Sequence, residues 1–347
     1  MAETEAKFPT EFPGGTHGIE DTHDRVEVTP FGNRTLGYRV LLPKNWGAET
    51  DVGEQHTGVG LPVRIGLFAD HPGEDGALVD VSYTVFPMEV GLWDWVRFHA
   101  RRSNVRLARC EPMEFATGPG VDAGGYYGPE DALRVVRLTA FIDAGRIFTV
   151  MAMVPAAGYP ARMRDVAFAT HGFALTAPTR QMFLEQWLDA ESTEEPVFHV
   201  GHPASWTSRA VTAGIHGRSG LDIVLARDKS LMGYVRVKAL DTSLVRDPSP
   251  ADKRRTATEE LSEAGVVQHT AWAPDDDPTL PWIEGFVGSW QARGRLGETD
   301  VALRLGEVER HGLVFLVSQV GVREEDDAIL WMRTRRAYGI ALATAHR

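Results

Sequence analysis

The sequence predicts an α+β fold written twice: two tandem repeats, each an antiparallel β-sheet with flanking helices. Three observations predict it. First, GYRVLLPKNW (37–46) and VFHVGHPASW (197–206) carry an aromatic residue, a Pro and a Trp at matching spacing. Tyr38 and Phe198, Pro43 and Pro203, and Trp46 and Trp206 each lie 160 residues apart. Second, Gly145 and Gly312, Phe148 and Phe315, and GFAL (172–175) and GIAL (339–342) each lie 167 apart. Two constant registers in the same order mark a duplication with seven extra residues in the second copy. DTSLVRDPSP (241–250) and APDDDPTLP (273–281) have the loop-like composition to hold them. Third, strand patterns follow one another through short turns, with one helix among them and one after, which is the ordering of an antiparallel sheet with packed helices. A period this long means two domains, because solenoid repeats run about 20–50 residues.

The elements follow in order. Residues 1–30 are rich in Gly, Pro, Thr and acid and read as a mobile acidic tail. The first domain spans 31–178. It opens on the strand ending at Pro43-x-x-Trp46, continues through VRIGLF (63–68) and ALVDVSYTVF (77–86), and reaches a helix at 90–103. Strands follow around Cys110–Ala116, Gly124–Gly128 and Leu133–Phe141, then an apolar strand at 146–154, a helix around Ala161–Thr170 and the closing GFAL. Residues 179–194 read as a linker helix, because Met182, Phe183 and Trp187 have helical spacing and Pro196 stops the run. The second domain spans 195–347. GLDIVLAR (220–227) and GYVRVKAL (233–240) are its early strands. Its first helix, 249–265, has clear start signals: Ser249 as N-cap, Pro250 at the first helical position and Asp252 in the first turn. Its last helix is expected over Glu324–Arg336, before the closing GIAL.

Composition narrows the function classes. The chain has 347 residues, 43% hydrophobic and 24% charged, with a formal net charge of −12. That balance speaks against a nucleic-acid surface, which needs a basic stripe, and against anionic lipid. One cysteine, Cys110, allows no disulfide framework and fits a reducing compartment. The N-terminus MAETEAKFPTEFPGG lacks the apolar core of a secretory signal, and apolar runs such as IFTVMAMV (147–154) are far short of the roughly 20 residues of a membrane span. The expectation is a cytoplasmic protein with no membrane span.

The plan resembles the PsbP-like family, which includes the DcrB-like bacterial proteins. The resembling residues are Pro43 and Trp46 with Pro203 and Trp206, the central helix, the Gly-initiated apolar strands Gly145–Val154 and Gly312–Val320, and the C-terminal helix. The resemblance implies a PsbP-like αβ sandwich, twice. It implies binding or assembly work more than catalysis, since members of that family are mostly not enzymes. One branch with similar topology, the Eag-type chaperones of type VI secretion, acts in the cytoplasm as dimers that shield apolar segments of effectors. A tandem chain is then expected to form an internal pseudo-dimer, with a homo-oligomer also open.

No residue pattern makes a strong case for chemistry. Gly118, Gly120, Gly124 and Gly125 match neither the P-loop nor the dinucleotide fingerprint and read as hairpin-turn glycines. GRSG (217–220) has the wrong spacing for a nucleophile elbow. His199 and His202, three apart on a strand, point to opposite faces. His17, Asp21, His23 and Asp24 are conceivable metal ligands but fall in the expected tail, and Asp275–Asp277 reads as a charged loop. No catalytic residue, metal or cofactor is expected. The informative stretch is VGLWDWVRFHA (90–100), in which Trp93 and Trp95 stand roughly 200° apart on a helix. Such a helix is apolar on more than one face, whereas the matching second-copy helix has only a thin stripe of Ala257, Leu261 and Ala264.

The expected function is a non-enzymatic chaperone or adaptor, with a secretion-system setting implied by the resemblance. Its partner is a client or assembly protein with an exposed apolar segment. Trp93, Trp95, Phe98, Phe183 and Trp187 are the candidate protein-binding residues, with the alternative that the tryptophans form an internal seam covered by the second copy or by Phe183 and Trp187. The rival readings are a metal-assisted hydrolase and a structural subunit of a larger assembly.

Overall fold

In a computed structural model, residues 7–9, 18–49, 62–70, 76–85, 90–115, 117–179, 185–211, 219–227, 230–242, 248–277 and 279–347 are described. The chain divides into two units: Met1–Pro87 with Leu92–Leu184, and Met88–Gly91 with Glu185–Arg347.

The first unit opens with a short helix α1 (Ile19–Thr22) and strand β1 (His23–Val28), which pairs antiparallel with β2 (Tyr38–Pro43). There follow β3 (Gly47–Glu49), β4 (Val63–Ala69), β5 (Leu78–Val85), helix α2 (Leu92–Arg102), and β6 (Val105–Phe115). The unit continues with β7 (Gly118–Tyr127), β8 (Arg134–Asp143), β9 (Arg146–Pro155), helix α3 (Tyr159–His171) and β10 (Ala174–Leu175). The main sheet has the order β3-β4-β5-β9-β8-β7-β6, while β10 joins β1 and β2 in a small second sheet.

Strand alternation puts the two long helices on opposite faces. Phe148, Val150, Ala152 and Val154 of β9 face a core shared with Tyr38, Val40, Leu42 and α3. Met151 and Met153 face the other way, toward Ala100 of α2. The tail expected over 1–30 is therefore corrected in part. His23–Val28 is a strand because HDRVEV alternates: Val26 and Val28 pack against the core, and buried His23 pairs with Asp165 at 3.3 Å.

The second unit holds β11 (Trp187–Glu191), β12 (His199–Pro203), β13 (Thr207–Val211), β14 (Gly220–Arg227), β15 (Ser230–Asp241) and helix α4 (Pro250–Glu263). It then holds β16 (Val266–Gln268), β17 (Ala273–Pro274), β18 (Phe286–Leu296), β19 (Thr299–Arg310), β20 (Leu313–Gly321) and helix α5 (Ala328–Thr344). The main order is β13-β14-β15-β20-β19-β18-β16, the same connectivity as in the first unit, with β17 also pairing β18. Here β11 and β12 form the separate hairpin. Phe315 and Val317 of β20 pack with α5, Phe198 and Trp206, while Leu316 and Val320 face the α4 side. The turns before β9 and β20 match as well. Ala144-Gly145 and His311-Gly312 all have positive φ, as a two-residue hairpin loop requires.

Three expectations change. The described part of the expected linker helix, 179–194, is not helical: Trp187–Glu191 is a strand in full antiparallel register with His199–Pro203, where β12 satisfies its backbone groups, and 180–184 lie outside the described residues. GIAL (339–342) lies inside α5 and is not a segment after it; its closing role falls to His346, bridged to His199. All four glycines sit within β7: neighbouring atoms crowd any Cβ at Gly120, Gly124 and Gly125, and Gly118, the first residue of the strand, has a positive φ. The Ser249 cap is as expected, accepting from Asp252 N at 3.2 Å.

Candidate functional site

The second unit carries a half-open cleft of about 610 Å³ on the α4 face of its sheet. That volume is in the range of ligand-binding clefts, roughly 300–1,000 Å³. Alternation builds it. On β14 and β15, Leu221, Ile223, Val235 and Val237 point into the α5-side core, so Asp222, Val224, Tyr234 and Arg236 point to the α4 side. The helix ends at Glu263, and β16 follows beside β18, so among the described residues no helix covers the β13–β15 end of that face. The floor is Val224, Tyr234, Val266, Leu296 and Val320, and Leu231 stands at the cleft 48% exposed.

One buried carboxylate organises the polar wall. Asp222 accepts from Tyr234 Oη at 2.8 Å, from Arg236 Nε at 2.7 Å and Nη2 at 3.1 Å, and from Arg209 Nη2 at 3.1 Å. Burial opposes its ionisation, but the hydrogen bonds and charge of Arg236, helped by Tyr234 and Arg209, outweigh it and hold the carboxyl below the usual range. The same burial pushes the Tyr234 phenol far up. The wall is thus a locked ionic knot with its carboxylate saturated, beside an unfilled apolar floor. That arrangement can bury apolar surface, and Glu263 at the end of α4 also lines the cleft, outside the knot.

A second polar cluster lies in the first unit, on the α3 face. Asp122 of β7 accepts from Arg137 of β8 at 3.2 and 3.1 Å and pairs with Arg109 of β6 at 3.3 Å. His171, the last residue of α3, places Nε2 2.7 Å from Arg137 Nη2 and 3.4 Å from Asp122 Oδ1. Burial opposes ionisation of Asp122 too, and His171 and Arg137 together hold it below the usual carboxylate range.

The residues singled out in the sequence are spread over both units. Trp93 and Trp95 are 8% and 1% exposed, so α2 does not present them as an open aromatic patch. Trp93 donates from Nε1 to the Cys110 carbonyl at 3.0 Å, under the guanidinium of Arg97. Trp95 stacks on His99 with centroids 4.8 Å apart, and Phe98 is half-buried. Trp187 is exposed on β11, with Arg336 over its ring, and Phe183 lies outside the described residues. His202 is buried, with Nδ1 2.9 Å from the Pro203 carbonyl oxygen, while His199 stacks on His346. Asp275 pairs with Arg304 and Asp277 with Arg335, so two of the three acids are tied into the fold rather than standing as a charged loop. His17 is not among the described residues. Among the described residues no three His, Cys, Asp or Glu side chains group so as to hold a metal ion. The Cys110 thiol is pushed up to about 12 by burial, which makes it a poor nucleophile.

His99 gives a first testable consequence. Burial, with Arg102 nearby, lowers its pKa from 6.5 to about 4. The unfolded chain therefore takes up the proton first. The contribution is intact above pH 6.5 and is lost as the pH falls toward about 4, worth up to about 3 kcal/mol over that window. Urea midpoints at about pH 7.5 and about pH 5 should diverge in wild type and diverge less in His99→Phe, which keeps the stacking on Trp95, the remainder including His23, whose pKa burial also lowers.

Sequence reasoning missed both polar knots, because each is assembled across strands from single Asp and Arg residues with no local motif. Their one-dimensional trace is a charged residue inside an otherwise apolar strand: Asp122, Arg137, Asp222 and Arg236.

No family model matches this chain, and no curated protein matches it. Solved structures do. The cyanobacterial PsbP of Synechocystis sp. PCC 6803 is 16% identical over 44% of this chain and 92% of its own, with a TM-score of 0.33. LpqN of Mycobacterium tuberculosis, involved in cell envelope biogenesis, is 12% identical over 46% of this chain and 95% of its own, at 0.31. The T6SS immunity protein TplEi of Pseudomonas aeruginosa is 8% identical over 78% of this chain and 93% of its own, at 0.22. The architecture established here, antiparallel sheets flanked by helices, stands on the strand pairings themselves. Among the described residues no helix is long and apolar enough to cross a membrane.

Proposed function

We propose that this chain is a non-enzymatic chaperone or adaptor of the cytoplasm, made of two PsbP-like domains in tandem, which shields an apolar segment of a client protein. One observation carries the reading: the cleft of the second unit presents an apolar floor and a half-exposed Leu231, while Arg209 and Arg236 of its wall are bound to Asp222. Such a surface gains by covering apolar area, at about 25 cal/mol per Å². Its saturated polar wall keeps the site shaped. The tandem reading is supported by the shared strand order and by the paired turns at Gly145 and Gly312. The secretion-system setting is the part that the resemblance to Eag-type chaperones supplies, and it stands or falls with the identity of the client.

Leu231→Asp is the direct test, because the side chain is half exposed and its loss leaves the core intact. The full-length chain, tagged, is used to capture partners from its host, and the apolar segment of a captured partner is synthesised. The segment should bind wild type and bind Leu231→Asp about tenfold or more weakly, a loss of about 1.4 kcal/mol or more. Equal binding to both removes the cleft from the function.

A further inference from the structure

We propose that the α3 face of the first unit is a peptide-binding site for an extended segment with a Phe-Pro step, and that the chain's own residues Lys7–Pro9 occupy it in cis. Three successive backbone carbonyls of that segment accept from three side chains. The Lys7 oxygen accepts from Tyr159 Oη at 2.8 Å, the Phe8 oxygen from Arg109 Nη1 at 2.7 Å, and the Pro9 oxygen from Arg137 Nη2. The Phe8 ring lies over Gly124, where any Cβ would overlap it, and is tilted against Tyr159 at 6.2 Å.

These donors do not depend on the segment for their positions. Asp122 holds both arginines, Arg137 is fully buried, and Tyr159 is anchored in the first turn of α3. The site is therefore built by β6, β7, β8 and α3 alone, and the segment fills it. It reads what any extended peptide offers, backbone carbonyls, and adds one selective feature, a notch for an aromatic ring.

The Phe-Pro step suits that notch. A proline restrains the residue before it to extended backbone and brings no N–H that burial would leave unpaired. The same step recurs at Phe12-Pro13, just beyond the docked segment. A segment of this kind on another chain would compete with Lys7–Pro9, and the cis occupant would lower its apparent affinity by the fraction of time the groove is filled. This inference concerns the first unit and is independent of the cleft in the second.

The test uses the full-length chain and a fluorescent, end-blocked peptide of residues 5–11, EAKFPTE. Phe8→Ala empties the notch, so this variant should bind the peptide about tenfold or more tightly than wild type. Adding Gly124→Ala to Phe8→Ala puts a methyl group where the peptide ring must sit and should abolish binding. No gain in Phe8→Ala overturns the proposal and leaves Lys7–Pro9 as a structural clasp. Binding indifferent to Gly124→Ala overturns it as well, because the peptide then lies elsewhere. Should Phe8→Ala not fold, wild type labelled with para-fluorophenylalanine at position 8 gives the same answer. Excess peptide should move the fluorine resonance from its docked to its free position, and an unmoved resonance at saturation overturns the proposal.

Discussion

Asp122→Asn should destabilise the first unit by about 3–5 kcal/mol, the cost of breaking a buried ion pair from one side. The carboxylate is almost fully buried and faces Arg137, whose side chain is fully buried, so the variant leaves a guanidinium charge inside the protein without its counter-ion. The residual hydrogen bond of Arg137 to the Pro9 carbonyl is neutral and cannot replace it. Hydrogen exchange of the β7 and β8 amides is the suitable readout, because the lesion sits between those strands. The pH dependence follows. The folded carboxyl ionises below its ordinary range, so its contribution is intact above about pH 4 and disappears below it. This window lies beneath that of His99, which makes the two separable in one titration of stability. The double variant Asp122→Leu/Arg137→Met should recover only part of the loss, since an apolar pair replaces the buried ionic one but Arg109, His171 and the Pro9 carbonyl lose partners.

Asp222→Asn should destabilise the second unit by about 3 kcal/mol or more. Its weight comes from the partners inside the fold, Tyr234 and Arg236. Arg209 matters far less: its side chain is 71% exposed, and Arg209→Ala should cost under about 1 kcal/mol. The contrast is measurable by urea unfolding of the two variants side by side. Asp222→Asn should also weaken client binding, because the wall of the cleft loses the group that fixes Tyr234 and Arg236. Arg209→Ala should leave binding nearly unchanged. A result in which both variants cost the same would mean that Asp222 is held by solvent-facing contacts rather than by the buried pair.

The parts of this molecule that obey periodic rules were legible in the sequence. The strands near 63–68, 77–86, 146–154, 220–227, 233–240 and 312–320 follow apolar patterning and turn signals, and α4 announces itself through Ser249, Pro250 and Asp252. What could not be read was decided by tertiary partners. Met182, Phe183 and Trp187 have helical spacing, yet Trp187–Glu191 finds a ladder on β12. Lys7–Pro9 sits in a segment whose composition reads as tail, yet three side chains distant in sequence capture its carbonyls. For Trp93 and Trp95 the sequence leaves a docking surface and an internal seam both open, because it shows apolarity but not what covers it; both side chains are buried. The open apolar floor lies instead around Leu231, where single residues from β14, β15, β16, β18 and β20 meet with no motif to mark them.

The central claim, that the cleft at Leu231 shields an apolar segment of another protein, is tested most directly by placing a photo-crosslinking amino acid at position 231 in the full-length chain inside its host. The account predicts crosslinks to one partner, mapped by mass spectrometry to an apolar stretch of that partner, and their disappearance when Asp222→Asn is added. Crosslinks to a small molecule that the protein then converts, or no product other than quenching by water, would contradict it.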